Sequence, residues 1–358
     1  MSKRIAATSK RSSYLHEADA CVVLEITDDT LLAGFSGEHA PRCRIPLPSL
    51  STADLGLCED MLERALRQAL NRFLYIELKN KRVMLVEQHF LCIKLKQVIA
   101  RVLFTYQQAR ELQFMSGSVC SCLALGLQQA LVVSLDAREV TVVPVFDSRP
   151  LNKYVRTTIL AGDALAQRAR YLLQTYSDCS DPTAADIADF LARAAVCLAA
   201  SPITADLPDI IAHNDLERLY KQHAPPTSLA WTQPSSQHRC TIPQWIRFAC
   251  VEVLFEGRSR YADFDETALP QLIQQAYRAC PIDVRAQLTT LVLTGSASQI
   301  RGLPQRLAKE TQYNVADSVY GNEVAWAGAS LAASIQVEGP ALLMTAFNAD
   351  RRVPDWSR

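Results

Sequence analysis

The side chains best suited to catalysis are sparse and poorly grouped in this sequence. Six histidines (His16, His39, His89, His213, His223 and His238) could supply acid–base or metal chemistry, yet none forms an HxxxH or HExxH pair. Eleven cysteines are scattered singly, except for Cys120 and Cys122. With no CxxC and no facing His pair, they do not predict a structural zinc site; they read as small buried apolar residues of a reducing compartment. An odd number leaves at least one thiol outside any intrachain disulfide. GxSxG, GxGxxG and GxxxxGK[ST] are absent, so neither a nucleophile elbow nor a simple phosphate-cradling loop is predicted. What remains is two polar turns, Asp28-Asp29 and Asp136–Glu139, each set between β-branched runs.

Those turns depend on strands. Ala20–Thr27 and Thr30–Phe35 predict a hairpin, and Leu131–Leu135 with Val140–Val145 predict a second. After the first hairpin, Leu62, Ala65, Leu66, Ala69, Leu70 and Phe73 recur at helical spacing, with Glu63, Arg64 and Arg67 on the wet side. Arg82–Glu87 is the next strand, and residues 90–106 the next helix, with Leu91, Leu95, Val98 and Val102 inward. After the second hairpin, helices are predicted over 161–173, 184–200, 242–254 and 269–280. Pro281 caps a short one, Leu291–Thr294 is a strand ending at Gly295, and further helices start at Pro304 and Val324. Residues 223–239 (HAPPTSLAWTQPSSQHR) read as a Pro/Ser loop, in which Trp231 is either a partner anchor or a packed core residue. Two hairpin-led halves imply an internal duplication, although they share almost no residue identity.

A chain of 358 residues is long enough for about two domains. Lys plus Arg and Asp plus Glu both total 37, which argues against nucleic-acid binding or a polybasic membrane surface. Residues 1–19 are expected to be a mobile tail; no run of about eighteen apolar residues predicts a membrane span.

Four stretches carry a specific likeness: AGFSGEHAPRCRIP (Ala33–Pro46), VEVLFE (Val251–Glu256), CPIDVRAQL (Cys280–Leu288) and VLTGSASQIRGLPQRLAKE (Val292–Glu310). In this order and at these separations the chain resembles actin and the actin-related proteins, from about residue 20 to residue 335. RVLFTY (Arg101–Tyr106), CPID, VAWAG (Val324–Gly328) and RVPDW (Arg352–Trp356) resemble the pointed-end actin-related proteins of dynactin. The resemblance implies an α/β, actin-like fold: two ribonuclease-H-like domains around a central cleft, with the first domain's small outer subdomain much reduced. The first domain would span 20–125, completed by 325–358, and the second 126–324.

The resemblance also implies where a nucleotide would sit, between two phosphate hairpins whose small residues let backbone N–H groups approach. Glu25 falls on the family's first aspartate, Thr27 and Asp29 on glycines, and Leu32 on the phosphate-binding lysine. Ser134 replaces the second aspartate, and Asp136 a glycine. Arg138 reads as a solvated turn residue. An added like charge about 5 Å from a phosphate costs about 3 kcal/mol at an effective dielectric of about 20. Gly117 and Thr141 stand near or on the positions of the water-orienting glutamine and histidine, and neither can activate water. The adenosine half keeps Gly162, Gly295 and Gly302, with Arg193 on a lysine position beside Ala194, and Asn322 on another lysine position. Gly162, Arg193, Gly295 and Gly302 are therefore the candidate contacts of a vestigial nucleotide site. The glycines have a second explanation in tight turns. No catalytic residue, metal or bound ATP or ADP is expected.

Residues 47–61, between the end of AGFSGEHAPRCRIP and the first helical stripe, form a short linker where actin carries a subdomain that grips the next protomer. The expectation is a non-polymerising, cytoplasmic scaffold that caps the pointed end of the dynactin filament. Its partners would be that filament's actin-related subunits and the other pointed-end subunits, in support of dynein-based transport. A nuclear subunit of a chromatin-remodelling complex is the alternative; an ATPase or sugar kinase of the same superfold would need intact phosphate loops.

Overall fold

The computed structural model describes residues 21–48, 54–199, 227–256, 266–337 and 339–354. The expected tail, residues 49–53 of the linker, 223–226 of the Pro/Ser loop and the end of RVPDW lie outside the described residues. Two compact units emerge: Met1–Gln128 with Asp147–Pro150 and Ser318–Arg358, and Gln129–Phe146 with Leu151–Asp317.

The first unit is built on one sheet. The apolar run VVLEI forms β1 (Val22–Ile26), which turns back into β2 (Thr30–Phe35), and β3 (Cys43–Pro46) extends the meander. β4 (Arg82–Glu87) pairs parallel with β1, and β5 (Glu111–Ser116) parallel with β4. The late strand Ala341–Leu343 closes the far edge, antiparallel to β5. On one face lie α1 (Leu55–Gln68) and α2 (Ile93–Arg101), each continued by a π-helical turn, Ala69–Leu74 and Val102–Tyr106. Asp54 caps α1 by accepting the Leu57 N–H. α1 thus starts seven residues before the predicted stripe, and the linker after Pro46 is shorter than expected. Phe73, predicted inward, is exposed because the wider π turn rotates it off the stripe. Glu59 of α1 accepts from both Arg101 (2.8 Å) and Tyr106 (3.1 Å), which explains why RVLFTY begins and ends as it does.

The opposite face is covered by α3 (Gly117–Ala124) and the helix Val324–Ser334 over Cys21, Val23, Leu32, Met84 and Val86. The two quoted stretches AGFSG and VAWAG meet here. Trp326 donates to the Val23 carbonyl at 3.1 Å, and a Cβ on Gly34 would lie 2.7 Å from its ring. Ser330 lies against the carbonyls of Phe35 and Glu38, and Gly37 donates back to Ser330. Only glycine fits where Gly328 crosses α3, because a Cβ there would stand 1.8 Å from the Cys120 carbonyl oxygen.

The second unit repeats the plan. β6 (Ala130–Leu135) and β7 (Val140–Phe146) form the hairpin, and Arg156–Thr158 pairs antiparallel with β7. Thr290–Thr294 pairs parallel with β6, and Asn314–Val315 with Thr290–Thr294. The strand sequence third, second, first, fourth, fifth is therefore shared by both sheets. α4 (Gly162–Tyr176) follows the third strand as α1 does in the first unit. The duplication, invisible as residue identity, is plain in topology.

Three predicted elements change. α5 (Ala184–Arg193) stops at Arg193 rather than running to 200, because Ala194 and Ala195 both fold back on the Phe190 carbonyl. The Pro/Ser segment is not a plain loop: Ser228–Thr232 pairs with Arg239–Pro243 as a hairpin. The latter strand takes the start of the helix predicted at 242, leaving the short helix Ile246–Ala249 and the turn Glu252–Leu254. Trp231 is buried against Phe190 and donates to Asp189 at 3.1 Å, so it is a core residue. Among the described residues, no helix is long and apolar enough to cross a membrane.

The Gly328 crossing is open to test. Alanine is intrinsically better in a helix by about 1 kcal/mol, but forcing the helices apart costs about 1–3 kcal/mol or more. We expect Gly328→Ala to lower stability by about 2 kcal/mol, read as an earlier urea midpoint in tryptophan fluorescence. A variant as stable as the parent would show that the helices are not this close.

Candidate functional site

Each unit presents its hairpin at an equivalent place, so the two candidate phosphate loops can be compared residue for residue. In the first, Glu25 is in register with Leu32 on β2 and Val86 on β4. In the second, Ser134 is in register with Thr141 on β7 and Thr294 on the parallel strand. Glu25 and Ser134 are thus matched positions, as are Leu32 and Thr141.

The first turn contains no glycine and satisfies itself. The Thr27 N–H donates to the Thr30 carbonyl at 2.9 Å, and the Thr30 N–H donates to the Thr27 hydroxyl at 3.1 Å. The hydroxyls of Thr27 and Thr30 both reach Asp29 Oδ1 at 3.0 Å. Two amides that a phosphate would need are therefore already engaged. Leu32 is buried in the apolar layer beneath α3 and the 324–334 helix, so no cation stands at the lysine position. Glu25 is buried on the same face. The Cys120 thiol nearby is pushed up chiefly by burial, and then by the Glu25 charge.

The second turn is held by the backbone around it. Ser134 donates its hydroxyl to the Asp136 carboxylate, closing the tip. Gly162 and Asp163, the first two residues of α4, donate to the Asp136 and Ala137 carbonyls at 3.0 and 2.7 Å. These are two of the helix N-terminal N–H groups that could otherwise face an anion. A Cβ on Gly162 would lie 3.0 Å from Ala137 Cα. Gly295 has φ +87°, and its Cβ would lie 2.5 Å from the Leu135 carbonyl oxygen. Gly302, at φ +89°, caps the helix Leu303–Thr311, and its Cβ would lie 2.1 Å from the Cys197 carbonyl oxygen. Gly162 and Gly295 thus both abut the second hairpin, while Gly302 packs on a different segment. Each has a steric reason to be glycine.

Arg193 stands apart from this group in its bonding. It ends α5, is exposed, and pairs with Asp189 at 2.9 Å, the same carboxylate that receives Trp231. Ala194 is buried, and its carbonyl accepts from Arg247 at 2.7 Å. In the first unit, Asn322 accepts from Arg44 at 3.2 Å, alongside an Arg44–Glu323 ion pair. Gly117 opens α3, and Thr141 is buried in β7. Neither carries a group able to move a proton at neutral pH.

Several polar residues were not paired by sequence reasoning. Glu252 and Glu256, one turn apart in VEVLFE, receive Arg306 and Arg168 respectively. Arg306 also lies 3.6 Å over the Phe255 ring and bonds Glu310. A lone arginine inside an otherwise apolar stripe was the available signal. Asp186 is fully buried and accepts from Thr183, Gln233 and Ser235. Burial alone would raise its carboxyl, but the bonds from Ser235, Gln233 and Thr183 outweigh that and hold it well below the usual carboxylate range.

If the glycines serve packing, substitution should cost the same with or without nucleotide. Gly295→Ala combines a left-handed φ with a backbone clash, and we expect a loss of about 3 kcal/mol. Thermal melts of parent and variant, with and without Mg-ATP, check this. A nucleotide-induced rise in the parent's midpoint that the variant lacks would assign Gly295 a ligand role instead.

The comparisons with known proteins bear on the same residues. The actin family model matches residues 53–184 and 215–340. The chain is similar to "Actin-like protein ARP10" of Saccharomyces cerevisiae, at 27% identity over 74 residues, 21% of this chain and 26% of that protein. It is also similar to "Actin-like protein arp10" of Schizosaccharomyces pombe, at 30% identity over 105 residues, 27% of this chain and 28% of that protein. These two matches span little more than a quarter of the relatives' length. The family match is far broader and takes in both units. With the duplicated five-strand plan, it places this chain in the actin family.

Proposed function

We propose that this protein is a non-polymerising actin-related scaffold, the pointed-end cap and subunit-docking platform of the dynactin filament, in the cytoplasm. One observation carries the reading. Only residues 47–54 separate β3, which ends at Pro46, from α1, which starts at Leu55. Eight residues are too few for a subdomain with its own core. A protomer in an open filament needs complementary surfaces at both ends, because the interface is heterologous. Losing the outer piece leaves a protomer that can join an end but offers no place for the next.

The loop chemistry supports the same reading. A buried leucine at the lysine position, and carboxylates at glycine positions in both turns, weaken any phosphate site. Gly117 and Thr141, at the water-orienting positions that the resemblance assigns, cannot activate water, so ATP hydrolysis is not part of the proposal. The dynactin assignment rests on the resemblance of RVLFTY, CPID, VAWAG and RVPDW to the pointed-end proteins, and the similarity to the two yeast actin-like proteins is in keeping with it.

Affinity purification of the tagged full chain from cytosol, followed by mass spectrometry, tests the assembly. We expect the actin-related filament subunits of dynactin and its other pointed-end subunits. Recovery of chromatin remodellers without them would overturn the assignment. The full chain purified alone, denatured and chromatographed, should release far less than one nucleotide per chain. Stoichiometric ATP would show that the loop substitutions do not abolish binding.

A further inference from the structure

One side-chain cluster of the second unit has no place in the nucleotide argument. After α4, Ser177 folds the chain back, its hydroxyl donating to the Leu173 carbonyl at 2.6 Å. The segment that follows runs along the hairpin of Ser228–Thr232 and Arg239–Pro243. It is tied there at several points. Asp178 Oδ1 accepts the Thr241 N–H at 2.6 Å, and Gln233 donates to the Ser180 carbonyl at 3.1 Å and to Asp186 at 3.0 Å. Between these ties, the sulfurs of Cys179 and Cys240 and a carboxylate oxygen of Asp178 all lie within 4.8 Å of one another. Both sulfurs are buried, and Asp178 is at the surface.

We propose that Cys179, Cys240 and Asp178 form a site for one thiophilic divalent cation of the zinc class, with the fourth position taken by water or by Gln233 Oε1. Two thiolates bound to one zinc at about 2.3 Å each stand about 3.8 Å apart in a tetrahedral site. The three ligand atoms therefore need only a small closure. Gln233 Oε1 already receives the Cys240 S–H at 3.9 Å and is buried, so a fourth oxygen is at hand. One oxygen of Asp178 holds Thr241, and the other can serve as ligand. Ligands held on two elements that are already hydrogen-bonded together are preorganised. Thiolate sulfur with one carboxylate selects zinc-like ions over magnesium or calcium.

The metal displaces one proton from each thiol, leaving two thiolates and one carboxylate on the ion; no oxidant is needed. Spacing rules did not find this set because Cys179 and Cys240 are far apart in sequence and meet only when the hairpin folds.

Cobalt titration of the reduced full chain is the test. We expect a thiolate-to-cobalt charge-transfer band saturating at one equivalent and abolished by zinc. Asp178 is exposed, so Asp178→Asn should fold and bind at least about tenfold more weakly. Cys92→Ser, on the other unit, should leave the titration unchanged. Because Cys240 is buried, its role is read on the unaltered chain: zinc should slow pulse alkylation of Cys179 and Cys240 but not of Cys120 and Cys122. No band at one equivalent, a band of undiminished affinity in Asp178→Asn, or a Cys179–Cys240 disulfide as the only response would each overturn the site.

Discussion

Much of this molecule hangs on the second hairpin being clamped by backbone on two sides. The Leu135 carbonyl oxygen lies where a side chain on Gly295 would be, and Asp136 and Ala137 receive the first amides of α4. At Gly295 there is no space for a Cβ, and at Gly162 a Cβ would press on the Ala137 backbone. The hairpin, the following helix and the parallel strand Thr290–Thr294 therefore constrain one another directly. A ligand is not needed to keep such glycines in place. Their alternatives cost several kcal/mol through strain and clash, on the order of a domain's whole stability margin.

That constraint separates what persists in this chain from what has drifted. The positions that pack backbone on backbone, Gly162, Gly295, Gly302 and Gly328, all retain glycine. At the positions that the resemblance assigns to charged side chains, Leu32 joins an apolar layer and Ser134 bonds the neighbouring Asp136; at a glycine position of the first turn, where no backbone packs, Thr27 closes its own turn. Each replacement is locally self-consistent, since its polar atoms find partners within the turn or its carbons join a core. The buried Glu252–Arg306 pair belongs with the glycines. Removing one partner would strand a charge in the interior, at about 3–5 kcal/mol, so it persists independently of any ligand.

Legibility from sequence follows the same division. β1, β2, β4, β6, β7 and the strand ending at Gly295 were readable because buried strands rich in Val, Ile and Leu carry their own signal. The helix predicted from 184 starts where expected, behind a Thr183–Asp186 capping box, but its end was missed, since nothing in Ala194-Ala195 looks like a stop. The hairpin around Trp231 was missed because prolines and serines dominated its local composition, while its stability comes from Asp186, Asp189 and Asp178 elsewhere. The π turns after α1 and α2 were also unreadable, and Phe73 was misplaced for that reason. At the candidate site the identities of the lost groups were legible residue by residue. What occupies their geometry instead was not, because Ser134–Asp136 and Thr27–Thr30 are contacts of the folded turn.

The shortened connection and the altered first hairpin are joined physically. Leu47, the first residue beyond β3, is buried and donates its N–H to the Asp29 carbonyl at 2.7 Å. Thr30 stands opposite Pro46 in the β2–β3 register, so the turn and the start of the connection lie side by side. A turn whose tip must present amides to phosphates has little freedom to anchor a neighbouring segment. Here the tip closes on itself through Thr27 and Asp29, and its outward carbonyl is available to pin Leu47. Asp54 then begins α1 with its own cap, so eight residues suffice to bridge two elements of one core. The self-closed turn and the short connection are thus two sides of one local arrangement: the turn that satisfies its own tip is also the anchor that returns the chain to the core of its unit.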